Sequence, residues 1–200
     1  MHRLLFVRAS IFGDGGQSSQ LAQQFLTRFE HAHPDAEVVV RDVLDPPLPH
    51  LDAATFMAFG KPSDTLTEAD HALLRLSDEL IAELEAAADL LIAMPLYNFG
   101  VPSAFKAWID HVARAPRTFR YTAQGPEGLL GNIRRCWVIA ARGGQYQGTP
   151  RENQVPYLTT MLGFLGIAPP EFVFAEALLR PDLRDGSLAN ARRAIEQLAL

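Results

Sequence analysis

The sequence predicts an α/β protein built on a parallel sheet with helices on both faces, and three observations carry that reading. Five short apolar runs, Leu90–Met94 the clearest, alternate with long amphipathic segments. Each run has strand length, and continuous rather than alternating hydrophobicity marks a strand covered on both faces. The connections are long enough to hold the crossover helices that parallel strands require.

The first strand, Leu4–Ala9, ends at Ser10 and enters a glycine-bearing turn, IFGDGGQSSQ. Ser18 is a candidate N-cap; beyond it Leu21, Phe25 and Phe29 recur every four residues, so a helix follows until Pro34. Glu37–Val43 is the second strand, its Val38–Val40 run fitting a sheet buried on both faces. A loop from Asp45 to Leu51 carries Pro46, Pro47 and Pro49, and a short helix runs from Leu51 to Phe59. Thr67 opens the longest helix, to Ala88, with Leu73, Leu76, Leu80, Ile81 and Leu84 as its buried stripe.

Leu90–Met94 is the third strand, and Pro102–Arg114 the next helix, with Pro102 in its first turn. Thr118–Leu130 reads as a small hairpin excursion that turns at Gly125-Pro126. Arg135–Ala141 is the fourth strand, Glu152–Leu165 a helix stopped by Gly166, Phe172–Glu176 the fifth strand and Ser187–Leu198 the closing helix. No repeat, low-complexity tract or linker intervenes, so residues 1–200 read as one domain. Five strands favour the flavodoxin-like order 2-1-3-4-5 over a six-stranded dinucleotide fold.

Composition narrows the function. Hydrophobic residues make up 48%, normal for a packed core, and the formal net charge is −5. No basic run offers a nucleic-acid surface. No stretch reaches the roughly 18 apolar residues of a membrane span. The amino terminus reads as a strand rather than a signal peptide. A single cysteine, Cys136, allows no internal disulfide, so the cytoplasm is the expected compartment. His31 and His33 form H-x-H without a third ligand, and no metal site is expected. Glu79 and Glu83 are read as a solvated helix face, and Cys136 as inert packing.

Parallel strands put their carboxyl ends on one side, where open α/β sheets bind ligands. Three loops meet there. Ser10–Ser19 ends at a helix amino terminus, whose free N–H groups and dipole attract an anion, and Ser10, Gln17, Ser18 and Ser19 add neutral donors. Its glycines, Gly13, Gly15 and Gly16, make neither a Walker loop nor a proper G-x-G-x-x-G. Pro95–Phe99 sets Tyr97 and Phe99 beside the amide of Asn98, a combination suited to the polar edge of a planar ring, or else to capping the sheet. Ala141-Arg142-Gly143-Gly144 permits close backbone approach. Arg142 either places positive charge near a ring or is a solvated residue of a tight turn.

On these residues the chain resembles the bacterial FMN-dependent NADH azoreductases (azoreductase type 1), also described as NADH:quinone oxidoreductases. The likeness runs essentially end to end. It includes Gln17-Ser18, Val40-Arg41-Asp42, Ser77–Leu84, Pro95–Phe99, Val112–Ala115, Arg142-Gly143-Gly144, Leu162-Gly163-Phe164 and Phe172–Glu176. Its most specific part is Thr118–Thr122 with Gly125–Leu129, absent from general flavodoxin-like sequences.

The resemblance implies a homodimer with two FMN sites at the subunit interface. It implies two-electron, ping-pong transfer through FMN N5 from NADH or NADPH to a quinone or azo compound. It assigns phosphate and ribityl contacts to Ser10, Gly16, Gln17 and Ser18, and ring contacts to Leu96, Tyr97, Asn98, Phe99, Ala141, Arg142, Gly143 and Gly144. Phe119, Tyr121 and Phe164 become candidate walls of the acceptor pocket, partly from the partner, or else ordinary core. Gly16 and Ala141 stand where relatives often carry Ser, and Leu96 where Met is frequent. Each lost hydroxyl removes about 0.5–1.5 kcal/mol of hydrogen bonding. Two other readings stay open: an FMN electron carrier or binding module without turnover, and an NAD(P) enzyme using Asp42 as its ribose-binding acid.

Overall fold

The computed structural model describes residues 2–200. Its strands are β1 (Arg3–Arg8), β2 (Glu37–Asp42), β3 (Asp89–Pro95), β4 (Phe119–Thr122), β5 (Gly125–Gly128), β6 (Arg135–Ala141) and β7 (Pro170–Ala175). Its helices are α1 (Gln17–Ala32), α2 (Ala53–Phe59), α3 (Glu68–Ala86), α4 (Ser103–Val112), α5 (Gln154–Phe164) and α6 (Pro181–Gln197). One sheet runs β2-β1-β3-β6-β7, and β4 and β5 form a separate hairpin. All four pairings in the large sheet are parallel. Counting its five strands alone, the order is the flavodoxin-like 2-1-3-4-5.

Two apolar layers sandwich the sheet. Leu5, Val7, Leu90, Ile92 and Val138 pack with Leu80, Leu84, Trp108 and Leu158 of α3, α4 and α5. Leu4, Phe6, Leu91, Ala93 and Ile139 pack with Phe25, Phe29, Leu188 and Ile195 of α1 and α6. Alternate residues of one strand thus enter opposite layers, as a pleated strand buried on both faces dictates. β3 is buried along its whole length, which is why its sequence reads as an unbroken apolar run.

Several elements depart from the sequence reading. β2 is an edge strand whose Val40 is exposed, so its valines reflect strand propensity rather than burial on two faces. In α3, Leu74 lies buried and Leu73 outside; Thr67 and Asp70 form a capping box that fixes the start of the helix. α6 begins at Pro181, ahead of the expected Ser187, because Pro suits a first helical turn and Gly186 is tolerated inside the helix. The hairpin turns at Ala123–Gln124, while Gly125 and Pro126 already belong to β5.

The hairpin is pinned to α5 by backbone. Leu130 N–H donates to Leu165 O at 2.9 Å. A Cβ on Gly128 would sit 2.1 Å from Gly166 N, so only glycine permits this approach. The contact sets the Phe119 ring against Phe164, tilted by 48° at 4.5 Å between centroids.

Candidate functional site

The carboxyl ends of β1, β3 and β6 bring the three predicted loops to one edge. After β1, Ser10 is buried and its Oγ accepts from Phe12 N–H at 3.2 Å. The N-cap of α1 is Gly16, and Ser18 lies within the first turn, contrary to the expectation that Ser18 caps the helix. The first helical bond runs from Gln20 N–H to Gly16 O, leaving the amides of Gln17, Ser18 and Ser19 with no intrahelical acceptor. Ser18 Oγ and Ser19 Oγ are buried without a partner among the described residues. Unpaired buried hydroxyls are costly, so two side by side at a positive helix end mark a place built for an anion.

After β3, the chain turns tightly. Tyr97 and Gly100 exchange two backbone hydrogen bonds, and the central residues, Asn98 and Phe99, have φ of 48° and 65°. Asn tolerates this left-handed region, but Phe does not adopt it without strain. Both side chains are exposed, and Tyr97 Oη accepts from Ile11 N–H at 3.3 Å, tying this loop to the first. Beside the turn lies a cleft of about 980 Å³ lined by Ile11, Leu96, Asn98, Lys106, Asn153 and Tyr157, among others. Tyr157 Oη is buried without a partner, and burial, reinforced by the charge of Asp110, pushes the phenol up to about 12.

After β6, Arg142 is neither solvated nor aimed at open space. It is buried, with its guanidinium bound by Glu152 and 3.3 Å from Glu176, and lies 4.7 Å over the ring of Phe174. Ala141 packs its methyl into the α1 layer, while its carbonyl accepts from Leu96 N–H at 3.0 Å. The carbonyls of Gly143 and Gly144 accept from Leu179 and Ala177. Phe99 meets Tyr146 edge-on at 5.5 Å, closing the second loop against the third.

Phe119, Tyr121 and Phe164 are not brought to this cleft within one chain. Phe119 and Tyr121 line a separate apolar groove of about 440 Å³ with Phe56, Met57, Phe59 and Arg114. Phe164 packs against Phe119 and the core. Asp42 bridges to Arg8 and accepts from Leu44 N–H, so its carboxylate is already engaged. Glu79 and Glu83 hold Arg41 rather than facing water alone. Burial pushes the Cys136 thiol up, in keeping with inert packing. Sequence reasoning missed Glu152, Gln154 and Glu176, which hold Arg142 and the loop backbones. The only hint was their polarity within otherwise helical or strand patterns.

This arrangement, a parallel sheet in the 2-1-3-4-5 order with an anion-ready helix start beside a strained strand-end turn, defines a flavodoxin-like protein. A family model described as a flavodoxin-like fold matches residues 2–199. The chain is 45% identical over 196 residues to FMN-dependent NADH:quinone oxidoreductase 6 of Burkholderia lata, covering 98% of both chains. It is 44% identical over 200 residues, all of both chains, to the FMN-dependent NADH:quinone oxidoreductase of Azotobacter vinelandii. Among solved structures it is similar to an azoreductase from Bacillus anthracis str. Sterne, with TM-score 0.87, 29% identity and coverage of 99% and 100%. An FMN-dependent NADH-azoreductase from Bacillus anthracis str. Ames Ancestor, in complex with FMN, gives TM-score 0.85 at 27% identity, both chains covered in full. The chain belongs to the flavodoxin-like family of FMN-dependent NADH:quinone oxidoreductases and azoreductases.

Proposed function

We propose that this protein is an FMN-dependent oxidoreductase that takes two electrons from NADH and delivers them to quinones and azo compounds. The observation that carries the reading is the cluster of unpaired donors at the start of α1, on the same edge as the strained Tyr97–Gly100 turn. The residues fit the cofactor. The amides of Gln17, Ser18 and Ser19 and the hydroxyls of Ser18 and Ser19 supply the donors a phosphate needs. Ser10, Gly16 and Gln17 border the same turn. Leu96–Phe99 and the Gly143-Gly144 backbone supply two walls for a ring.

When bound, FMN supplies the hydride chemistry at N5, in ping-pong order with donor and acceptor. The chain's part is to bind, orient and exclude water. The exposed Asn98 amide can hydrogen-bond a ring's polar edge. Lys106, paired with Asp110 at 2.6 Å, lines the cleft and offers a polar contact to an incoming substrate. No protein nucleophile or general base is required.

The groove at Phe56, Met57, Phe59 and Tyr121 supports a homodimer, in which these side chains and Phe164 of one protomer approach the cleft of the other. Phe56, Met57 and Tyr121 are each more than half exposed in the single chain, and such a patch marks an interface. No helix among the described residues is long and apolar enough to cross a membrane. We place the enzyme in the cytoplasm.

The test is spectral and kinetic. Purified protein is expected to show flavin absorbance, or to take up FMN, and to oxidise NADH with a simple quinone in parallel double-reciprocal lines. Protein that neither carries nor takes up FMN would sink the reading. Uptake of FMN without NADH oxidation favours an electron carrier. Intersecting lines remove the ping-pong order alone.

A further inference from the structure

The buried ionic cluster behind the third loop is more than a fold support. Arg142 touches Glu152 at 3.2 Å through Nη2 and Glu176 at 3.3 Å through Nη1. Its Nη2 also donates to Gln154 Oε1 at 3.4 Å. Gln154, fully buried, turns its Nε2 to the Pro95 carbonyl at 3.0 Å. Glu176 Oε1 accepts from the amides of Tyr146 and Gln147 at 2.8 and 3.0 Å. Glu152 Oε1 accepts from Gln154 and Val155 amides, starting α5. One cluster therefore grips the end of β3, the loop after β6 and the start of α5.

Its charge is also notable. One buried cation faces two carboxylates, and no other salt bridge among the described residues reaches them, so the cluster's formal net charge is −1. Charge near a flavin is a lever by which a protein tunes that cofactor's electronics. Resting on the functional reading above, we infer that Glu152, Gln154 and Glu176 are positioning residues for the ring site, and that their net negative charge lowers the reduction potential of bound FMN. Adding electrons beside a fixed negative charge is disfavoured, which speeds onward transfer to an acceptor. Gln154 sets loop spacing without charge; the two glutamates set both.

The two roles separate experimentally on the FMN-loaded protein. Glu176→Gln keeps an oxygen for the Tyr146 and Gln147 amides but removes the excess charge. It is expected to raise the two-electron potential, tightening reduced FMN about tenfold relative to oxidised FMN, or about 30 mV. Glu152→Gln, neutralising the other carboxylate, is the second variant should the first fail to fold, and shifts the potential the same way. Gln154→Ala leaves the charge alone and is expected to weaken FMN binding with the potential unmoved. An unchanged potential in both glutamate variants overturns the proposal while leaving the functional reading intact. A shift in Gln154→Ala as large as theirs also overturns it. Wild-type protein that takes up no FMN would overturn both.

Discussion

The two edges of the sheet make an instructive contrast. At the amino edge, Asp89 is buried and takes His2 and Arg135, each at 2.6 Å, while Arg3 pairs with Glu37. The ion pairs there are closed among the protein's own side chains. At the carboxyl edge, Ser18 and Ser19 hydroxyls lack partners, first-turn amides point outward, and Asn98 and Phe99 hold an unfavourable backbone conformation. One edge closes its ion pairs on folding, though the buried His33 Nε2 stays unpaired; the other stores unsatisfied groups and strain for a ligand to relieve. Stability and function are thus separated along the strand axis, and mutations should separate the same way.

The largest expected effect is at the amino edge. Asp89→Ala would leave Arg135 and His2 without their shared carboxylate. Removing one partner of a buried pair costs about 3–5 kcal/mol. His2 and Arg135 keep 29% and 34% side-chain exposure, so the lower end applies, about 3 kcal/mol. Urea unfolding reads this loss, and FMN affinity of the folded variant should stay at the wild-type value. An equal loss of FMN affinity would break the separation.

Ser18→Ala is the mirror experiment. It removes a buried hydroxyl that has no partner in the folded chain, so unfolding midpoints should hold or rise. FMN binding should weaken by about 1.5–3 kcal/mol, the worth of a hydrogen bond to a charged group. Fluorescence titration of the apoprotein measures it. A clear loss of stability with unchanged FMN affinity would mean that Ser18 serves packing alone.

How much of this was legible in the sequence follows the same division. The sheet was readable because β1, β3 and β6 are apolar without interruption, and only parallel strands buried on both faces need that. β2 and β7 were less so, since edge strands answer to propensity more than burial. The ligand edge was readable as a composition of Ser, Gly, Asn and aromatics at strand ends. The Arg142 cluster was not, because its partners lie 10 and 34 residues away and converge only when α5 docks. A lone Arg before two glycines looks like a solvated turn until Glu152 and Glu176 arrive. Gly16 is a related case. Its reading as a lost hydroxyl overlooked Ser10, whose own hydroxyl occupies that space.

Gly16→Ser therefore sharpens the contrast within the ligand edge. A Cβ at Gly16 would lie 2.2 Å from Ser10 Oγ and 2.8 Å from Ser10 Cβ. A new Ser10 rotamer moves Oγ but leaves Cβ in place, so the backbone of the turn must also shift, an overpacking that costs about 1–3 kcal/mol. A serine at position 16 should lower stability by about 1–3 kcal/mol and bring no gain in FMN affinity. The double variant Ser10→Ala, Gly16→Ser should recover part of the stability. Tighter FMN binding in the single variant would show that the two hydroxyls act side by side.

The smallest effect returns to the amino edge and depends on pH. His33 packs at 4.8 Å from both the His2 and Phe29 rings, with its Nε2 buried and unpaired. Burial first, then the charges of His2 and Arg135, hold its imidazole below the ordinary 6.5, with Asp89 opposing them. The ring thus serves packing and is neutral at pH 7. The unfolded chain takes up this proton near pH 6.5, whereas the folded chain does so only at lower pH. The contribution to stability is therefore full above pH 6.5 and declines as the pH falls below it. His33→Phe keeps an aromatic against Phe29 and cannot titrate. Its urea midpoint should fall less than that of the wild type between pH 7.5 and 5.5, with FMN affinity equal in both proteins at each pH. Identical pH dependence in the two would show that His33 is solvated. A change confined to FMN affinity would mean that the two edges communicate, against the division of labour drawn above.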